Sequence, residues 1–574
     1  MAYLTRRSVL EYCTFSALGL TCGAPLFALP TSRKVASLIE TSAGKVRGIN
    51  DNGIHVFKGI PYGAPTGGNN RFMPPRARKP WSAVREALEY GPEAIQRVFP
   101  TDEKSVRAVL QSEGGRLYQG LFSWPPRPMS EDCLVVNVWT AGLRDGLKRP
   151  VMVWLHGGGF GMGAGDWNWT DGTHLARKHD VVVVSLNHRL NIFGHLYLGD
   201  IAGAAYADSG NVGMLDIVAA LRWVRDNIAE LGGDPGNVTI FGQSGGGCKV
   251  NVLMAMSAAQ GLFHKAIQMS GPGPKMLSRE EATRASVAVL NQLGIPRAHV
   301  DQLQQIPAKK LHQAMNQVLQ AADLSTDDTW RNGTWFHMFD PVVDGRSLPR
   351  HPFDPTAPEI SAAVPMLFGS ANEDSRTDPG LPAPLDFSID TLDEAGMRAN
   401  LRGMGIDDRQ VDQLVRSYRA TRPTAPPADI FSAIASDLEY RMDAITMVER
   451  KSALGKAPAY MYLFAWESPA FGGKYKSSHA FDVPFVFDNI DAAPGLWASK
   501  PDSRSYELAH TISNAWVAFA RTGDPSPSEQ LRWNPYTVKE RATMVLNYHC
   551  ELVNDPRGDD RLACEPVMRE LGRG

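Results

Sequence analysis

Residues 237–250 read NVTIFGQSGGGCKV, an apolar β-prone run that stops at a serine set among glycines. A serine hydroxyl is a weak nucleophile, useful only when it is exposed and paired with a base. A strand that turns sharply into a helix strains its turning residue and pushes that side chain outward. Neighbours carrying a Cβ would clash with such a turn, which accounts for Gly242, Gly245 and Gly246 around Ser244. A helix starting near Gly245 aims its N-terminal N–H groups at the same point and favours negative charge there. With 53 glycines in the chain, a lone Gly-x-Ser-x-Gly match is weak evidence, and a glycine-rich turn without chemistry is the bland alternative. The strand before it and the apolar helix after it make Ser244 the candidate nucleophile.

An attacked carbonyl becomes an oxyanion, which needs N–H donors fixed beside it. Residues 151–155 (VMVWL) run straight into His156-Gly157-Gly158-Gly159-Phe160, a glycine loop able to direct backbone N–H groups without side-chain obstruction. A plain flexible turn is again the alternative, but two glycine turns that each follow a buried strand fit a paired role. Neither loop has Gly-x-Gly-x-x-Gly spacing or a Walker lysine, which argues against nucleotide binding. No cysteine/histidine spacing resembles a zinc site. No metal or organic cofactor is expected.

These turns need a scaffold. Residues 134–139, 150–155 and 181–186 (VVVVSL) read as strands, the last of the kind buried on both faces. Leu215, Val218, Leu221, Val224 and Ile228 recur at helical spacing over 214–231, and 232–236 (GGDPG) stops that helix before the strand 237–241. Alternating strands and helices predict an α/β fold with a mostly parallel central sheet flanked by helices. Residues 275–360 look mainly helical, with an amphipathic stretch at 300–319, and are expected to form a helical cap insertion. Strand character returns at 363–369 and 459–465. Residues 423–427 (PTAPP) read as a surface turn rather than a linker, so residues 31–574 are expected to form one catalytic domain.

A formal net charge of −2 over 574 residues gives no electrostatic attraction to nucleic acid or anionic membranes. Thr5-Arg6-Arg7-Ser8-Val9-Leu10 precedes an apolar segment at 13–29 that is short for a membrane span. Paired arginines in that position resemble a twin-arginine export signal over residues 1–30, cleaved near 28–32. An uncleaved anchor is the alternative. Export to the periplasm or medium is expected, without stable membrane insertion after cleavage. Cys133, Cys248, Cys550 and Cys564 would remain. Cys550 and Cys564 lie close in sequence, and an oxidising compartment would let them pair, contributing about 3 kcal/mol.

Further segments complete a pattern: FKGIPYGAP (57–65), RFMPP (71–75), SEDCLVVNVW (130–139), LNHRLNIFGHL (186–196), GNVGMLD (210–216), PVVDG (341–345) and SSHAFDVPFVF (477–487). Together with HGGGF and LGGDPGNVTIFGQSGG (231–246), they resemble the type-B carboxylesterases, relatives of bacterial para-nitrobenzyl esterases and cholinesterases on the α/β-hydrolase fold. The resemblance runs from about residue 40 almost to the C-terminus. It implies Ser244 as nucleophile, His479 as general base, and Gly158, Gly159 and Gly245 as oxyanion-hole donors. The acid falls in Gly369-Ser370-Ala371-Asn372-Glu373-Asp374, where register favours Asp374 and leaves Glu373 as the alternative. The chain order serine, acid, histidine is that of the fold.

Three positions depart from the family pattern. Gln243 stands where a glutamate often precedes the nucleophile, and Asp374 where glutamate is usual. Cys133 occupies a position that often forms a disulfide, yet Ala94 stands at the matching upstream site, which leaves Cys133 a free buried thiol. Cys248 is read as packing. His55, His188, His195, His337 and His510 are read as structural or pocket-lining, His156 as shaping the oxyanion loop, and Trp330, Trp335 and Phe336 as core or pocket wall.

The resemblance implies a serine hydrolase of small-molecule carboxylic esters acting through an acyl-enzyme on Ser244. Carbamate or amide hydrolysis would use the same triad. A non-catalytic binding protein on this fold is the remaining alternative, opposed by competent groups at all three triad positions.

Overall fold

The apolar runs noted above become strands of one sheet in the computed structural model, which describes residues 35–96, 107–108, 111–121, 127–321, 337–376 and 391–573. The arginine pair, Trp330, Trp335, Phe336 and the side chain of His337 lie outside the described residues. The strands are β1 Val35–Thr41, β2 Gly44–Asp51, β3 Ile54–Pro61, β4 Arg85–Glu86, β5 Val135–Thr140, β6 Arg149–Leu155 and β7 Val182–Leu186. They continue with β8 Gly233–Gln243, β9 Lys265–Met269, β10 Met366–Ala371, β11 Ala459–Phe464, β12 Ala542–Leu546 and β13 Glu551–Asn554. Their order is β1-β2-β3-β5-β7-β6-β8-β9-β10-β11-β12-β13, with β4 beside β2. From β7 to β12 every pairing is parallel; towards both edges the pairings along this order are antiparallel, while the short β4 pairs with β2 in parallel.

Alternation along the strands feeds two cores. Val151, Val153, Val184 and Ile240 meet Ile217, Leu221 and Val224 of the helix Val212–Asn227 on one face. Met152, Trp154, Val183 and Phe241 meet Ile512, Trp516 and Phe519 of the helix Ser503–Thr522 on the other. Each such side chain contributes about 1.5–3 kcal/mol when fully buried. Helices on both faces explain why β7 and β9 to β11 are buried throughout.

Several expectations need correction. Strand β8 begins at Gly233 rather than 237: the preceding turn ends at Gly232, φ +72°, and Gly233 already pairs with Arg149. The stretch 300–319 is not one helix, because Pro307, which lacks an N–H, separates the 3-10 segment Arg297–Gln304 from the helix Ala308–Ala321. With the helix Arg279–Leu293 these pack around Phe72, Ile192, Phe193 and Leu196 in a separate apolar cluster. Residues 340–358 are bends and irregular segments with one isolated bridge from Val342 to Leu277, so the helical character of the insertion ends early. Cys550 and Cys564 are unbonded. Cys550 packs against the core of one sheet face and Cys564 is buried in that of the other, where its thiol lies 3.1 Å from the Tyr418 hydroxyl. Cys133 is free and buried as expected. Among the described residues no helix is long and apolar enough to cross a membrane.

Candidate active site

Ser244 stands between β8 and the helix Gly245–Ala255 with φ +58° and ψ −129°. Such a conformation costs a non-glycine residue about 1–3 kcal/mol. Its N–H donates to Met269 O at 2.8 Å, and its carbonyl accepts from the Cys248 N–H at 3.0 Å, so sheet and helix hold the turn from both sides. A Cβ on Gly246 would lie 2.0 Å from Leu155 O, and one on Gly242 would lie 2.5 Å from Gly246 C. Helix and strand approach too closely for any other residue. Ser244 is partly exposed while its neighbours on both sides are buried.

The glycine loop after β6 lies against this turn. A Cβ on Gly157 would stand 3.4 Å from Ser244 Cβ, and one on Gly245 would overlap Gly159 N at 2.3 Å. Gly158 and Gly159 have φ of +85° and +58°. The loop closes through the Gly158 carbonyl, which accepts from the N–H groups of Gly161 and Met162 at 3.3 and 3.0 Å. Sequence reading missed one tie. Lys249, fully buried five residues after Ser244, donates from Nζ to His156 O at 2.8 Å and sits 5.9 Å from the Phe160 ring. One side chain thereby braces both ends of the loop from the nucleophile helix. Burial pushes its ammonium down to about 7.

His479, 2 % exposed, places Nδ1 2.8 Å from Asp374 Oδ1. Asp374 Oδ2 accepts from Ser270 Oγ at 2.9 Å and from the Ala371 N–H at 2.8 Å, which fixes the carboxylate plane. Glu373 instead accepts at Oε1 from Asn372 Nδ2 at 2.6 Å. Burial raises its carboxyl, opposed chiefly by the nearby Arg557 charge. The amide nitrogen of Gln243 lies 3.2 Å from His479 Nε2 and 3.5 Å from Nδ1, a neutral group beside the imidazole.

Four more residues around the histidine escaped sequence reading. The Tyr440 ring lies 5.0 Å from that of His479, in a short π-helical turn at Asp437–Arg441. Tyr118 donates its hydroxyl to His479 O at 3.2 Å. Ser270, φ +42°, is followed by Gly-Pro-Gly directly after β9, a signal that could have marked it. Asp482 accepts at Oδ2 from the Tyr462 hydroxyl at 2.9 Å; burial, then the Asp374 charge, pushes its carboxyl up to about 7.

The remaining singled-out residues divide cleanly. His156 Nδ1 lies 2.9 Å from Gly157 O and its ring stacks on His188 at 5.0 Å, consistent with shaping the loop. Burial pushes both imidazoles well below their usual range. His195 packs edge-on against Phe160, and His55 lies 2.7 Å from Ser37 Oγ far along the sheet. Cys248 is buried and donates to Pro272 O at 2.8 Å, with its thiol pushed up by burial.

Comparison with known proteins adds an independent line. The sequence profile described as "Carboxylesterase family" matches residues 35–563. The chain is 35 % identical over 535 residues to a para-nitrobenzyl esterase of Bacillus subtilis strain 168, covering 93 % of this chain and 99 % of that protein. It is 31 % identical over 519 residues to a phenmedipham hydrolase of Pseudarthrobacter oxydans, covering 89 % and 94 %. Among solved structures, a carboxylesterase of Geobacillus stearothermophilus superposes with a TM-score of 0.74 at 35 % identity, covering 92 % of this chain and 99 % of that one.

Proposed function

The chain belongs to the carboxylesterase family and is a serine hydrolase of carboxylic esters on the α/β-hydrolase fold, and from that premise we propose that Ser244, His479 and Asp374 carry the reaction. His479 Nε2 takes the Ser244 proton as Oγ attacks the ester carbonyl. Asp374, bound to Nδ1, holds the tautomer whose Nε2 carries no proton and supports the imidazolium that forms. The N–H groups of Gly158, Gly159 and Gly245 receive the oxyanion. His479 then protonates the leaving alcohol, and water, deprotonated in turn by His479, releases the acid from the acyl-enzyme.

The observation that carries this assignment is the strained Ser244 turn in the same site as the 2.8 Å His479–Asp374 bond. Replacing Ser244 with alanine tests it. Aryl-ester turnover should disappear with the fold intact, and an organophosphate should label Ser244 one-to-one in the wild type. Retained turnover or labelling elsewhere overturns the assignment. Similarity to a phenmedipham hydrolase supports a second substrate class, carbamates, on the same serine. A panel of matched esters and carbamates distinguishes the two.

The family match from 35 to 563 supports treating 31–574 as one catalytic domain. Arg6 and Arg7 before the apolar run at 13–29 support the twin-arginine route to the periplasm. Changing both to lysine should strand the precursor in the cytoplasm, and unchanged export of that variant refutes the route.

A further inference from the structure

His179, Asp488 and His510 each bring one ligand atom to within 4.8 Å of the others, with His179 far in sequence from the other two. His179 ends the helix Thr173–His179, Asp488 follows the helix Val483–Val486, and His510 lies in the helix Ser503–Thr522. Asp488 Oδ2 is 4.0 Å from His179 Nε2 and 3.9 Å from His510 Nδ1. The two imidazole rings stack with centroids 5.7 Å apart and 18° between their planes. We propose that these three side chains form a zinc-binding site.

Two imidazoles and a carboxylate are a ligand set suited to zinc, with a fourth position left for water. Bonds of about 2.0 Å in a tetrahedron place neighbouring ligand atoms about 3.3 Å apart. The observed separations to the carboxylate must therefore contract by about 0.6 Å. His510, whose side chain is 58 % exposed and opens the site to solvent, can close its own 3.9 Å separation, and the His179 imidazole closes the other by turning from Ser513 towards the carboxylate. The carboxylate is the fixed member. Asp488 is held at φ +51°, its N–H donates to Phe485 O at 3.1 Å, and its carbonyl accepts from His174 Nδ1 at 2.7 Å.

A carboxylate only 2 % exposed needs a counter-charge, and Lys178 Nζ provides one at 2.8 Å from Oδ2. Lys178 is 44 % exposed on a flexible stem, so a divalent cation can replace it without leaving the carboxylate unpaired. Ser513 Oγ lies 3.0 Å from His179 Nε2 and donates to His510 O at 3.1 Å, a bond it keeps when the imidazole turns to metal. A bound ion would clamp two helices to the segment that carries His479 nine residues upstream of Asp488. The site uses none of the residues assigned to ester hydrolysis, so its success or failure is separate from that assignment.

The test uses untagged full-length mature protein, with zinc binding read by calorimetry and thermal unfolding, and cobalt(II) as an absorption probe of geometry. One equivalent should bind, raise the midpoint of unfolding and give the intense visible bands of tetrahedral cobalt. His510→Ala should weaken binding about tenfold or more, whereas Lys178→Ala should tighten it by removing the competing ammonium. Metal-free ester turnover of both variants verifies that they fold. Zinc affinity unchanged in His510→Ala, weakened in Lys178→Ala, or no one-to-one binding in the wild type, each overturns the proposal.

Discussion

Asp374 and Glu373 are adjacent in sequence yet serve different partners: Asp374 Oδ1 meets His479 Nδ1 at 2.8 Å, while Glu373 Oε1 turns to Asn372 at 2.6 Å. Asp374→Asn should therefore cost kcat about 10⁴-fold, since an amide cannot enforce the tautomer that leaves Nε2 basic. Glu373→Gln should retain most of its turnover. Steady-state kinetics on the two variants check this, and the reverse pattern would assign the acid to Glu373.

Gln243 places a neutral amide 3.2 Å from His479 Nε2. Exchanging it for glutamate puts a negative charge beside the ring, which favours the imidazolium. Because the base must be unprotonated to act, the acid limb of kcat/KM should move to higher pH, by about one unit. A limb that stays in place, measured on a neutral ester, contradicts this electrostatic role.

Asp482 makes a stability prediction whose sign is fixed. Its carboxyl lies near 7 in the folded protein, against a usual value of 3.8, from burial first and the Asp374 charge second. The folded state thus holds a proton that the unfolded state releases between these values. The contribution is full below about pH 4 and is lost as the pH rises to about 7. Asp482→Asn should gain stability relative to wild type across that window and hold a constant advantage above it. The gain is at most on the order of 4 kcal/mol. Urea denaturation at several pH values between 4 and 8 reads the difference directly.

The close approach at the nucleophile turn predicts a contrast between two glycines. A Cβ at Gly246 overlaps Leu155 O at 2.0 Å, a backbone atom of the central sheet that cannot step aside. Gly246→Ala should destabilise by on the order of 4 kcal/mol and abolish turnover. Gly403, at the end of the helix Glu394–Gly403, has nothing within 4 Å of an added Cβ. Gly403→Ala should be neutral or stabilising by up to ~1 kcal/mol. Thermal unfolding of the pair provides the check.

The sequence by itself determined the parts of this protein whose physics is local. An apolar run ending in glycines dictates a sharp turn, so Ser244 and the loop from His156 to Phe160 were legible before any fold was known. The strands at 134–139, 150–155 and 181–186 were legible too, because a strand buried on both faces writes itself as a near-continuous apolar run. His479 and the acid were reached through resemblance to a family, and adjacency in sequence could not separate Asp374 from Glu373. Only the tertiary structure decided what depends on groups far apart in the chain. It turned one carboxylate to His479, set Lys249 behind the oxyanion loop, sent Cys550 and Cys564 to opposite faces of the sheet, and brought His179, Asp488 and His510 together. Each of these is fixed by how helices seat on a twisted sheet, and no spacing along the chain encodes that seating.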